Sequence, residues 1–446
     1  MAQGLVSPQQ GAEKRRLDLG PAGLSRVGPG LVFMLSAFGA GDIVANAAAG
    51  AQYRFSLAWL LLLALVFRFV WLDASARYVL VTGESVLQGL HRLGRGVTWI
   101  IFSVILVVRH ALNLSKVLMI GEASQILLPL PFAGGEVVWS LVGTSAAFAL
   151  VSWGGYPWVE RLFKWLMAGL GGSLAVAAVI HFPEPSSLWS GFFRPEIPAS
   201  AGPFSTALIM LALVGTEAGS MTNLTYSYFL REKGWRDPSK LSLQRRELLG
   251  SISCMFLLGI MLQITAAGVF SGSHESIRTT RDLVHLLGES QGTFGVLAFA
   301  LGLWAAVFTG FTGATTGYAL MAVDAARNLL GWRWGQAKNS RPGEAAARRD
   351  PLYRILAGLW ILGPAYILLV DAEPLHLLLA THAAAAMMIP LLACGLLYLI
   401  NQRRMEGKFR RRWLTNTVLS LIALASIGMG LAELYRWGLA ATFGRP

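Results

Sequence analysis

Charge is scarce in this chain: Asp, Glu, Lys and Arg together make up 14% of 446 residues, whereas hydrophobic residues make up 54%. That shortage excludes an ordinary water-soluble surface, which carries about a quarter charged residues. Cysteine is nearly missing as well. The two present, Cys254 and Cys394, both fall in apolar stretches, so neither a disulfide framework nor a metal-finger spacing is available and both read as small packing residues. A secretory leader is not evident either. Residues 1–30 are polar, carry Lys14, Arg15, Arg16 and Arg26, and hold no apolar run followed by a cleavage site, so the N-terminus is expected to stay where it is made. The sequence shows no phosphate-binding loop, clustered catalytic triad or metal-hydrolase motif, and its polar loops are too short for an ATPase domain, so it reads as no enzyme and implies no cofactor.

What the chain does have is length in its apolar runs. Windows of about 19 residues pick out eleven stretches, near 31–50, 55–76, 97–127, 135–153, 158–181, 203–230, 248–271, 292–326, 352–371, 373–401 and 413–438. Most can cross roughly 30 Å of hydrocarbon as a helix. With a mean hydropathy of +0.55, the expected class is an all-α integral membrane protein of about eleven transmembrane helices, with the lipid bilayer as its solvent.

The basic residues set its orientation. Counted with the N-terminus inside, cytoplasmic segments hold 28 Lys and Arg, and outer segments hold six: Arg54, Arg194, Arg278, Arg281, Arg436 and Arg445. Basic residues near helix ends stay on the cytoplasmic side, so a cytoplasmic N-terminus in a plasma or inner membrane is expected. The net charge of +13 is spread over alternate loops rather than gathered in one module, which argues against a nucleic-acid partner. No obligate protein partner is implied.

Two stretches are interrupted where lipid-exposed helices would be uniformly apolar. The first reads LSAFGAGDIVANAAAGAQY, with Gly39, Gly41, Asp42 and Asn46 at its centre; the sixth reads LVGTEAGSMTNLTYSY, with Gly215, Glu217, Gly219, Ser220, Thr222 and Asn223. Glycine loosens a helix and frees backbone groups, which a bilayer tolerates only where they line a protein-enclosed cavity. Small residues also permit close helix packing without a ligand, but each break here carries a carboxylate at membrane depth, which is costly and usually marks a pathway. Broken segments five helices apart are the pattern of an inverted five-plus-five repeat. The expected division is a cytoplasmic tail over 1–28, a first repeat over 29–182, a second over 203–402 and an additional helix over 412–438.

At this point the sequence resembles the Nramp family, carriers of manganese, iron and related divalent metals with the fold of the bacterial leucine transporter. AAAGAQYRFSLAWLLLL (47–63) and ASARYVLVTGESV (74–86) are similar to the family's first two helices. TGATTGYALM (312–321) is similar to helix 8, Arg348, Arg349, Arg354 and GPAY (363–366) to the start of helix 9, and MMIPLL (387–392) to helix 10. These pieces are collinear over about 380 residues. The resemblance implies a secondary transporter holding its substrate at the midplane between helices 1 and 6.

The family's metal motifs are both rewritten. Registered on the AAGAQ run, Gly39 stands at the family's aspartate position, Asp42 at its asparagine position, and Asn46 at a later position that is often acidic. On helix 6, Ser220 stands at the metal-binding methionine, Met221 one residue away, and Glu217 where an alanine carbonyl is used, with Asn223 in register. The resemblance thus implies a metal set of Asp42, Glu217, Ser220 and Gly39. Thr222, Asn223 and Asn46 would lie along the path. Such an oxygen-rich set favours hard ions such as Mg²⁺ or Mn²⁺. On helix 3 the family's acidic proton-path positions align with Asn113 and Lys116, which implies transport without the usual proton coupling, as in the Nramp-related magnesium carriers.

Several residues keep two readings. Lys116 keeps three: it pairs with Glu122 or Asp42, takes part in coupling, or is solvent-exposed. Arg109 and His110 either line a vestibule or fix a helix, and His382, beside Ala383, is either near the substrate path or an interior histidine. Arg68, Asp73 and Arg77 read as anchors. Trp71, Trp99, Trp332, Trp334 and Trp437 read as interfacial belts, and Pro390 as a kink. Two other functions stay open: a carrier of a small organic solute, with Lys116 or Arg109 supplying charge, and a non-transporting membrane sensor.

Overall fold

The computed structural model describes residues 38–153, 157–200, 202–235, 237–270, 277–332, 350–405, 413–425 and 427–428, with side chains from 162 onward in the segment 157–200. Among the described residues there is no strand, and nine helices are long and apolar enough to cross a membrane. The remaining two of the eleven expected stretches are present in part. The first appears as α1 (Ala40–Tyr53) and the last as the helix Trp413–Ala425. The protein is a multi-pass integral membrane protein. The tail over 1–28 and Arg348, Arg349, Trp334 and Trp437 lie outside the described residues.

Between these ends run α2 (Ala58–Thr82), α3 (Arg95–Leu127), α4 (Gly135–Trp153), α5 (Pro157–Ile180), α6, α7 (Leu241–Val269), α8 (Gly288–Asp324), α9 (Pro351–Ile361) and α10. Helix α6 comes in two α-helical pieces, Thr206–Leu213 and Thr222–Glu232, separated by a widened π segment, Val214–Ala218. Helix α10 is also double, Pro374–Ala386 and Ile389–Ile400, breaking just before Pro390, whose missing N–H is harmless at a helix start.

The two sequence-predicted interruptions have local causes. Helix α1 begins at Ala40, where the Asp42 carboxylate turns back to accept the Gly39 N–H at 2.8 Å. In α6, Gly219 adopts φ +71° and ψ 169°, a conformation essentially reserved for glycine. A Cβ there would also lie 2.4 Å from the Asn223 side-chain oxygen. The α1 start and the α6 break face each other, Asn46 donating to Glu217 at 2.5 Å, and α1 lies against α7 at Gly50, where a Cβ would come within 2.4 Å of the Gln263 carbonyl.

Polar networks tie the helices together at the end carrying most of the basic loops. Asp73 takes Arg77 at 2.9 Å and Arg245 at 2.6 Å, joining α2 to α7. Asp324 at the end of α8 accepts from Tyr228 at 2.8 Å, from Gln88 at 3.1 Å and from Asn328 at 2.6 Å. The anchoring expected of Asp73 and Arg77 is present, whereas Arg68 points elsewhere. Trp71 is a correction: it is buried and packs edge-on against Phe67, since α2 runs through the interior at that depth. Trp99 and Trp332 are half exposed and pack against each other at 6.5 Å, as interfacial residues do.

Candidate substrate-binding site

The α1 start and the α6 π segment bring Asp42 and Glu217 into one buried polar cluster. Asn46, one turn beyond Asp42 on α1, is the link. Its side-chain nitrogen donates to the Asp42 carbonyl at 2.9 Å and to Glu217 Oε1 at 2.5 Å. Its oxygen accepts from Gln263 of α7 at 2.9 Å. Each carboxylate thereby has one oxygen engaged, Asp42 Oδ2 by the Gly39 N–H and Glu217 Oε1 by Asn46. The other two, Asp42 Oδ1 and Glu217 Oε2, are buried without a hydrogen-bond partner. Unpaired carboxylate oxygens at membrane depth are costly unless something positive meets them.

Positive charge stands close by on two sides. Arg68, in the middle of α2, is fully buried and donates from Nη1 to the backbone carbonyls of Thr216 and Glu217 at 3.0 and 3.3 Å. Lys116 on α3 is also buried. It makes no direct ion pair with Asp42 or Glu122 among the described residues. The pairing reading for Lys116 is therefore corrected: the Asp42 carboxylate turns back onto the Gly39 N–H instead.

His382 fills the remaining side. Its Nδ1 lies 2.9 Å from the Leu378 carbonyl, which can only accept, so Nδ1 carries a proton. That Nε2 end is packed on α1: a Cβ at Gly41 would lie 2.7 Å from it and equally close to the Thr216 methyl.

Other sequence-predicted residues take different parts. Gly39 contributes backbone at the α1 start. Ser220 and Asn223 are buried in the α6 break; the Asn223 nitrogen donates to the Ala218 carbonyl at 2.9 Å, leaving its Oδ1 unpartnered. Thr222 meets the Tyr318 hydroxyl at 3.3 Å. Asn113 is a packing residue: it takes Arg109, and donates to the Trp360 carbonyl at 2.6 Å. Arg109 itself donates to Thr315 and to the Gly310 and Phe311 carbonyls, and lies over the Tyr318 ring at 5.4 Å, so it fixes α3 to α8. No cluster of three or more His, Cys, Asp or Glu side chains with metal-binding geometry occurs among the described residues.

Sequence reasoning missed Arg68 as a site residue and did not single out Gln263. Both carried a signal, since a cation and an amide in the middle of apolar runs demand partners.

The profile of the family described as natural resistance-associated macrophage protein-like, Nramp, matches residues 30–436. This chain belongs to the Nramp family. Among relatives, it is 22% identical over 410 residues to a protein of Verminephrobacter eiseniae named divalent metal cation transporter MntH, covering 89% of this chain and 86% of that one. Among solved structures, a point mutant of the Eremococcus coleocola manganese transporter superposes with a TM-score of 0.71 at 14% identity, covering 95% of this chain and 88% of that one. MhsT, in a complex with L-phenylalanine, superposes with a TM-score of 0.54 at 16% identity, over 90% of this chain and 98% of that one. The Nramp chain thus has the leucine-transporter-like, five-plus-five arrangement expected from its broken first and sixth helices. Nramp proteins are membrane transporters, not enzymes.

Proposed function

We propose that this Nramp protein carries a divalent metal cation, with hard ions such as Mg²⁺ and Mn²⁺ favoured, between Asp42 and Glu217. The observation that carries the reading is the pair of buried, unpartnered oxygens Asp42 Oδ1 and Glu217 Oε2, held on two helix breaks and bridged by Asn46. Carboxylate, carbonyl and hydroxyl oxygens are hard ligands. Ser220 and the Gly39 backbone would complete the set, with Asn46, Thr222, Asn223 and His382 along the path. The names of relatives, divalent metal cation transporter and manganese transporter, point the same way.

The reading includes transport without the usual proton coupling. Its support is Asn113, an amide committed to Arg109 and Trp360, and Lys116, a cation where an acid would be needed. It also includes a cytoplasmic N-terminus, supported by the distribution of Lys and Arg over the loops.

Uptake of Mg²⁺, Mn²⁺ and Ca²⁺ into proteoliposomes, with interior pH followed in parallel, tests it. Asp42→Ala and Glu217→Ala should each lower metal flux at least about tenfold, since each removes a charged ligand. Interior pH should stay flat during wild-type uptake. Flux untouched by both substitutions would remove this site, and acidification during metal entry would remove the uncoupled mechanism. A second reading, a small organic solute, is favoured by one observation: the buried cations Arg68 and Lys116 beside the carboxylates, with no three-ligand cluster among the described residues. Protein-dependent melting shifts with organic amines or acids, and none with metals, would favour it.

A further inference from the structure

An amide side chain has an oxygen end and a nitrogen end of nearly the same shape, and the bonds around it decide which is which. In the buried cluster that decision runs along a chain. The Asp42 backbone carbonyl can only accept, so the end of Asn46 lying 2.9 Å from it is the nitrogen. The opposite end of Asn46 is then the oxygen, which also can only accept. Gln263 of α7, 2.9 Å from that oxygen, meets it with its own nitrogen. Its Oε1 is thereby turned away from Asn46. This orientation does not depend on the charge of Asp42 or Glu217, because a backbone carbonyl sets it.

Asp42, Glu217 and Gln263 are all bonded to Asn46, and each leaves one side-chain oxygen buried without a hydrogen bond: Oδ1, Oε2 and Oε1. Gln263 is fully buried. An amide oxygen left unmet in such a place costs about 1–3 kcal/mol. The backbone cannot shift to relieve it. A Cβ at Gly50 would lie 2.4 Å from the Gln263 carbonyl and 2.7 Å from its Cα, so the close crossing of α1 holds this residue at one height. Helix α7 is also continuous from Leu241 to Val269, unlike the two helices that carry the carboxylates. Its oxygen is therefore presented from a fixed element.

We propose that Gln263 Oε1 is a third side-chain ligand of the transported cation, supplied by α7, and that it sets which cations the site prefers. This assignment rests on the divalent-cation reading above. An amide oxygen is a hard, neutral donor: it adds to the coordination shell without adding charge, which suits Mg²⁺ and Mn²⁺ and offers less to a soft ion such as Cd²⁺. The same amide braces Asn46 through its nitrogen, so one residue both positions the bridge and faces the cargo.

A ligand and a mere brace for Asn46 differ in one readout, because only a ligand's chemistry enters the ratio of two ions. Gln263→Leu and Gln263→Met both lose the donor to Asn46 and are close in volume, but only methionine brings a thioether, which binds soft metals. Proteoliposomes carrying wild type and each variant would be assayed for uptake of radioactive Mn²⁺ and of radioactive Cd²⁺. The Cd²⁺-to-Mn²⁺ ratio in Gln263→Met should exceed that in Gln263→Leu at least about fivefold. A smaller difference overturns the proposal, even where both variants lose flux. Where either variant does not fold, the isosteric Gln263→Glu decides through equilibrium Mn²⁺ binding in detergent. A third carboxylate ligand should tighten binding at least about fivefold, whereas a carboxylate with no N–H to offer Asn46 would loosen a site that Gln263 only braces. A smaller gain, or a loss, overturns the proposal. Wild-type metal flux that needs Asp42 and Glu217, with equal ratios in the two Gln263 variants, would remove this ligand and leave the divalent-cation reading standing. Wild type with no divalent-metal flux would remove both.

Discussion

At the residue scale, the site is a set of buried polar atoms that settle each other's geometry. Asn46 is the key to the pair because it holds a backbone carbonyl, a carboxylate and an amide from three different elements. Gly219 has an equally local role, since its φ of +71° with ψ 169° lets the chain leave the π segment and re-enter a helix three residues later. Gly219→Ala is therefore expected to destabilise the protein by about 1–3 kcal/mol through backbone strain, with a further loss from the contact with Asn223. A melting curve in detergent should show the drop, and uptake should fall with it. An alanine variant as stable and as active as wild type would mean that the α6 break does not depend on this conformation. Asp42, Glu217, Asn46 and the glycines around them were legible in the sequence, because polar residues and glycines in apolar runs stand out. Arg68 is just as visible but reads as an anchor like Asp73 and Arg77; helical spacing gives no hint that it reaches across to α6.

At the element scale, helix packing decides which breaks meet. The crossing of α1 and α7 at Gly50 brings the two backbones close enough that a Cβ would sit 2.4 Å from the Gln263 carbonyl and 2.7 Å from its Cα. One turn earlier, the same crossing makes the Asn46–Gln263 hydrogen bond. Gly50→Ala should push the helices apart, cost about 1–3 kcal/mol of stability as overpacking does, and weaken transport through Asn46. Thermal stability and uptake measured together would check it; no shift in either would show that the crossing has slack. The cost arises from backbone rather than a movable side-chain tip, so relaxation by a rotamer change is not available. That the chain has glycine at position 50 was plain from the sequence, and the resemblance of the AAGAQ run to the family marked it. Which helix it approaches was not, because neither α1 nor α7 carries a pattern that names its neighbour.

At the scale of the whole molecule, the bilayer imposes the architecture: apolar outer faces, polar groups inside, and basic residues at one end. The networks around Asp73, Glu84 and Asp324 all lie at that basic end, where Arg92 and Arg404 also meet Glu84. With the N-terminus cytoplasmic, a tag at the first residue should be protected from protease in intact spheroplasts and cleaved after permeabilisation, whereas a tag in the 278–281 region should be cleaved in both. The reverse pattern would invert the orientation. Reconstitution in one orientation then gives the direction of each flux measured for Gln263 variants.

The sequence by itself determined that the protein lives in a membrane as a bundle of helices, which apolar stretches carry glycines and carboxylates, and which family it resembles, because hydropathy, glycine and charge act locally along the chain. It also determined that two carboxylates sit at membrane depth. Only the tertiary structure decided that these carboxylates share one cluster through Asn46, that Lys116 makes no ion pair with either of them, that Asn113 is bonded to Arg109 and the Trp360 carbonyl, and that Arg68 of α2 reaches the Thr216 and Glu217 carbonyls. Those outcomes depend on which helix faces which and at what height. Packing of whole elements sets that, and no spacing within one element records it.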